Sequence, residues 1–186
     1  MRTPLLLVLA STLLVACEEK PQPGTTPSTP AAASAAAATD TTPAVPIAAG
    51  AAATAADGST KRTWSGDHFE VVVSAPACKA KTSCTAEIQL VAKPGYHINE
   101  EYPYRFTAKP SGGVAYKGKE AAEVFSKAAG DFSKASASEA KMQVRYEADG
   151  SVKKIPLSGI FKMSVCSEAS CQIETPTLDV DVPVQS

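Results

Sequence analysis

From residue 63 onward, apolar and polar residues alternate in short runs. Phe69, Val71 and Val73 share one face of the first run, and Ala86, Ile88 and Leu90 share one face of the second. Successive side chains of a strand point to opposite faces, so this period of two marks half-buried strands. The pattern returns at Tyr104, Phe106 and Ala108, at Met142, Val144 and Tyr146, and at Phe161, Met163 and Val165. In the last run Leu178, Val180, Val182 and Val184 alternate with Asp179, Asp181 and Pro183, so the aspartates belong to a solvated face rather than a calcium site. Turn signals separate the runs at Pro94-Gly95, at Pro110-Ser111-Gly112-Gly113 and at Asp149-Gly150. Short strands at this spacing predict an all-β domain, an antiparallel β-sandwich, over residues 63–186. Within Gly118–Ala129, the segment Lys119–Phe125 has helical propensity and is expected to be a helical turn or a long loop.

The first 62 residues follow another pattern. Arg2 precedes an apolar run from Leu5 to Val15, which at about eleven residues is too short for a bilayer core that needs roughly 20. Residues 1–16 are therefore expected to be an export signal. Leu14-Val15-Ala16-Cys17 resembles the lipobox of bacterial lipoproteins. The resemblance implies cleavage after Ala16, diacylglycerol on the Cys17 thiol and acylation of the new amino group. Two or more chains are what stable anchoring requires. The expected location is the cell envelope, with the domain held to a bacterial membrane through Cys17 and lying in the periplasm or at the cell surface. Residues 18–62 are mostly Ala, Thr, Pro, Ser and Gly, with few charges and with bulky aliphatics only at Val45 and Ile47. Such a stretch cannot bury enough apolar surface to offset its ordering entropy, which predicts a disordered linker over 17–62. Roughly 45 such residues average about 35–40 Å end to end as a coil and reach about 150 Å fully extended.

Charge narrows the functional classes. The 18 basic and 19 acidic residues leave a net charge of -1, without the basic stripe that nucleic-acid binding needs. No glycine-rich phosphate loop or nucleophile elbow is present, and no cofactor is expected. His68 and His97 are expected at the surface rather than as ligands. Tyr96, Tyr102 and Tyr104, around Pro103, are either a contact patch or core and edge residues.

Chemistry concentrates in the cysteines. Beyond Cys17 there are four, Cys78, Cys84, Cys166 and Cys171, an even set in a chain bound for an oxidising compartment. Their spacings favour the local bridges Cys78–Cys84 and Cys166–Cys171. A tetrahedral zinc site is the rival, but five residues separate the first pair, where zinc knuckles use two to four; no metal is expected. Cys166 and Cys171 join two strands at a sheet end, within reach of an attacking thiolate.

Three stretches resemble the N-terminal periplasmic domain of the thiol:disulfide interchange protein DsbD. They are Ala86–Asn99, with its Pro94-Gly95-Tyr96 turn, then Tyr104-Arg105-Phe106-Thr107-Ala108, and Phe161–Val182 with its cysteine pair followed by Glu174-Thr175-Pro176-Thr177-Leu178. The resemblance implies an immunoglobulin-like sandwich that exchanges disulfides with envelope thiol proteins. The departures are four residues between the cysteines where the family has five, Gln172-Ile173 where it has an aromatic and proline, and no obvious counterpart of its aromatic cap, for which Phe125 and Phe132 are the candidates. The leading expectation is a lipid-anchored, non-catalytic interaction module with an envelope protein partner. The alternative is thiol–disulfide interchange through Cys166 and Cys171, in which a Cys171→Ser variant holds its partner through Cys166.

Overall fold

The computed structural model describes residues 47–186. The expected signal segment 1–16, the lipidation site Cys17 and the linker to residue 46 lie outside them. The strands in chain order are β1 (Ala48–Ala49), β2 (Ala53–Thr54), β3 (Thr60–Ser65), β4 (Phe69–Ala75), β5 (Cys78–Lys79), β6 (Ser83–Ala92), β7 (His97–Ile98) and β8 (Arg105–Ala108). There follow β9 (Val114–Tyr116), β10 (Val124–Ser126), β11 (Phe132–Lys134), β12 (Glu139–Ala148), β13 (Lys154–Cys166), β14 (Cys171–Glu174) and β15 (Thr177–Gln185). They form two sheets, the immunoglobulin-like sandwich that the sequence predicted.

One sheet runs β1-β3-β4-β6-β12-β11, with β2 added to β3 and β9 to β12. The other runs β10-β8-β13-β15-β5, with β7 and β14 both added to β13. All pairings are antiparallel except that of β15 with β5. Gly95 and Gly150, at φ 85° and 88°, make the reversals after β6 and β12, where a side chain would be strained.

The alternating runs supply the core. Phe69, Val71, Ile88, Leu90, Met142 and Val144 of the first sheet are wholly buried, as are Phe106, Phe161, Met163, Leu178 and Val182 of the second. Each such side chain contributes roughly 1.5–3 kcal/mol on burial.

One expectation changes and one open alternative is decided. The linker does not run to Arg62: β1, β2 and the first half of β3 lie inside the stretch that composition assigned to it. Lys61 and Arg62 pair with Ser74 and Val73 of β4, and Thr60 is buried. These residues need little apolar burial of their own because main-chain pairing to β4 holds them. Arg62 adds a tie, lying 5.2 Å from the Trp64 ring centroid, donating to the Gly50 carbonyl at 2.9 Å and pairing with Asp179.

Of the two readings of Lys119–Phe125, a helical turn or a long loop, the structure has the loop. The segment makes tight turns, with Gly118 N–H donating to Ala122 O and Val124 N–H to Ala121 O, and then enters β10. Phe125 is drawn into the core between Phe106 and Tyr116. Burial of that ring outweighs a weak local preference.

Candidate functional site: an exposed disulfide on a hairpin

Strand β13 continues to Cys166 beyond its pairing with β15 and there gains two short neighbours. On one side β14 places Cys171 opposite Cys166, Gln172 opposite Val165, Ile173 opposite Ser164 and Glu174 opposite Met163. On the other side β7 places His97 opposite Cys166 and Ile98 opposite Val165. Residues directly opposite one another share a face. His97, Cys166 and Cys171 thus form one row across three strands, with Ile173 beside Ser164 in the neighbouring row of that face.

Cys166 and Cys171 are joined by a disulfide with their Cα atoms 3.9 Å apart. The hairpin tip is closed by Ser167 N–H donating to Ser170 O at 2.8 Å and by the Ser167 hydroxyl accepting from Ser170 N–H. The two sulfurs differ in access. Cys166 is 5% exposed, whereas Cys171 is an exposed residue, and Ile173 beside it is 65% exposed.

The floor of the site is firm. Ser164 is wholly buried although it lies on the outward face. Its carbonyl accepts from the Tyr104 hydroxyl at 2.6 Å and from Asn99 N–H at 3.3 Å. The Tyr104 ring stacks on Phe132 at 4.1 Å, and its burial pushes the phenol well above the ordinary range. On the reverse face, Glu174 is half-buried. Burial raises its carboxyl above the usual carboxylate range, His68 draws it down and Asp67 pushes it further up. His68 stacks on Tyr96 at 4.5 Å, joining the turn before β4 to the turn before β7.

The second bridge, Cys78–Cys84, has a different setting. Cys78 is wholly buried on β5, which belongs to the sheet of β15, and Cys84 lies on β6 in the other sheet. This bridge links the two layers, whereas Cys166–Cys171 joins neighbours within one. Among the described residues no group of three or more metal-ligating side chains comes together.

The other predicted residues separate. His97 is exposed on β7, and His68 is half-buried in its stack. Of the three tyrosines, Tyr104 is core while Tyr96 and Tyr102 are half-buried. Asp179 and Asp181 are exposed and pair with Arg62 and Lys154. Neither cap candidate covers Cys171: Phe125 is in the core, and Phe132 reaches the site only by its stack on Tyr104. Sequence reasoning passed over Ser164 as a support. Its one signal was position, since a polar residue inside an apolar run invites a partner.

No family model matches the chain, and no curated protein does. Among solved structures the chain is similar to the N-terminal periplasmic domain of ScsB from Proteus mirabilis, with a TM-score of 0.37 and 13% identity over 74% of this chain and 53% of that one. The chain spans about half the length of that structure. The nature of the site therefore rests on this chain's own geometry.

Proposed function

We propose that this chain is a thiol–disulfide exchange module of the bacterial cell envelope, anchored through lipid on Cys17, with Cys171 as the sulfur that meets the partner. The observation that carries this reading is the unequal access to a single bridge: Cys171 exposed, Cys166 nearly enclosed. A partner thiolate attacks Sγ of Cys171, the Cys166–Cys171 bond breaks, and Cys166 leaves as a thiolate that takes up a proton. A second thiol of the partner then attacks the mixed disulfide, releasing Cys171 as a thiolate. The partner dithiol is oxidised and the bridge reduced; the reverse sequence returns the electrons. This order exchanges the roles expected from sequence. Cys166→Ser is the trapping variant, because it leaves the accessible Cys171 thiol and removes the sulfur that would resolve the complex.

The test is exchange under native conditions. The full chain in detergent is incubated with glutathione buffers of graded potential, and freed thiols are alkylated and located by mass spectrometry. The reading expects Cys166 and Cys171 to be labelled together while the fold persists, and Cys166→Ser to form a mixed disulfide with glutathione through Cys171 more readily than Cys171→Ser does through Cys166. A bridge that opens only when the domain unfolds would overturn it.

One observation favours the other reading, a non-catalytic interaction module. Among the described residues, the side-chain hydrogen bonds of the hairpin run between Ser167, Ala169, Ser170 and Gln172, and none reaches either sulfur of this bridge. The same titration separates the two readings.

A further inference from the structure

The hydrogen-bond pattern around β13 leaves one strand edge open. In an antiparallel ladder each residue directs its N–H and C=O to one side only, alternating along the strand. Phe161 N–H donates to Pro176 O, so odd residues of β13 face β14 and β15; Asn99 N–H donates to Ser164 O, so even ones face β7 and β8. On β14 the residues bonded to β13 are then Gln172 and Glu174, opposite Val165 and Met163. The N–H and C=O groups of Cys171 and Ile173 point outward, and among the described residues nothing bonds to them.

Exposed edges invite strand addition and are ordinarily blunted. β10 shows how this chain closes one. Its outward Val124 N–H donates to Ala121 O, and Ser126 N–H donates to the Asp131 carboxylate while Ser126 O accepts from Asp131 N–H. β14 has no such closure. Its sequence Cys-Gln-Ile-Glu contains no lysine or proline, and it carries the 65%-exposed Ile173.

We propose that the outer edge of β14 is a docking strand for an extended, cysteine-bearing segment of the exchange partner, which adds to the sheet beside Cys171. The proposal rests on the thiol-exchange reading and specifies its substrate. Main-chain groups at Cys171 and Ile173 fix the added strand, as in other strand-addition complexes. Cys171 and Ile173 share a face two residues apart, so the segment's cysteine is brought to the bridge while an apolar residue two positions away covers Ile173. Glu168 precedes the strand and Glu174 ends it, and neither forms an ion pair among the described residues. They favour lysine or arginine at the ends of the segment.

The experiment compares three thiols against the oxidised full chain in detergent, at matched thiolate concentration. They are glutathione, a short peptide with one cysteine, an apolar residue two positions away and terminal lysines, and the same peptide N-methylated at the residues that would face β14. The readout is the rate of opening of Cys166–Cys171. The plain peptide is expected to react about tenfold or more faster than glutathione, the gain that a modest effective concentration gives, and N-methylation is expected to abolish the gain. An Ile173→Pro protein, which loses an outward N–H and no bond to β13, is expected to react equally with all three. If glutathione opens the bridge but the peptides show no advantage, or N-methylation has no effect, docking at β14 is refuted and exchange stands. If no thiol opens the bridge in the folded chain, the exchange reading itself fails. A reversible dimer in sedimentation, lost in Ile173→Pro, would assign the edge to a second copy of this chain and overturn the proposal.

Discussion

Asp131 offers a direct test of how the turn after β10 is held. Its carboxylate is wholly buried; it accepts from Arg145 at 2.5 Å and from Ser126 N–H at 3.1 Å, with Lys119 at 3.8 Å. In Asp131→Ala both donors lose their acceptor. Breaking a buried pair typically costs about 3–5 kcal/mol, but Arg145 keeps 25% of its side chain exposed and can take water. Discounting for that access leaves about 2–3 kcal/mol. Asp131→Asn keeps an acceptor for Ser126 but loses the charge and turns an amide donor toward Arg145, at about 1–2 kcal/mol. Urea unfolding, followed by fluorescence of the buried Trp64 with both bridges oxidised, measures these losses. With a slope of about 1–3 kcal/mol per molar urea, the midpoint of the alanine variant falls by about 1 M or more. A cycle with Arg145→Met completes the test, since the double variant should lose clearly less than the sum of the single losses. A loss under about 0.5 kcal/mol for Asp131→Ala, or strict additivity in the cycle, refutes the reasoning.

Three further outcomes are expected. Gly159→Ala should cost about 2–3 kcal/mol by urea unfolding, because its Cβ would lie 2.4 Å from the Thr107 carbonyl oxygen and 2.6 Å from the Phe106 ring. Glu174 is held above its ordinary pKa by burial. Its favourable contribution is therefore present below the unfolded pKa and is lost as pH rises through the folded one. Glu174→Gln should accordingly raise the thermal midpoint at about pH 7, and the gain should vanish near pH 4, below the unfolded value; a gain independent of pH would count against this account. Replacing Cys78 and Cys84 together by alanine should cost about 2–4 kcal/mol, more than replacing Cys166 and Cys171, because the first bridge joins the two sheets and includes a wholly buried sulfur. Equal losses in urea would show that this staple has no special weight.

The long strands were legible because period and length agreed. Phe69-Val71-Val73 and Met142-Val144-Tyr146 face the core as their alternation requires. The short strands β7, β9, β10 and β11 were not, since two or three residues carry no period and depend on neighbours for definition. The stretch 47–62 looked like linker because most of its side chains are small, yet main-chain pairing of β1 and β2 to β3, and of β3 to β4, orders it. At the site, the cysteine pair and its place between two strands could be read from spacing. Which sulfur faces a partner could not. Access depends on register: β7 and the Tyr104–Ser164 contact enclose one side of β13, while β14 is left as an edge.

That asymmetry has a consequence for how the two ends of the bond respond to reduction. At Cys166, β13 is gripped along both margins, by β7 and by β14, whereas β14 is gripped along one. The two sulfurs thus hang from segments of different local stability. Once the bond opens, the amide hydrogens of Gln172 and Glu174 should exchange with solvent much faster, while that of Cys166, paired with His97 of β7, keeps its protection. Deuterium uptake would register the redox state as a loosening of one strand against a still neighbour.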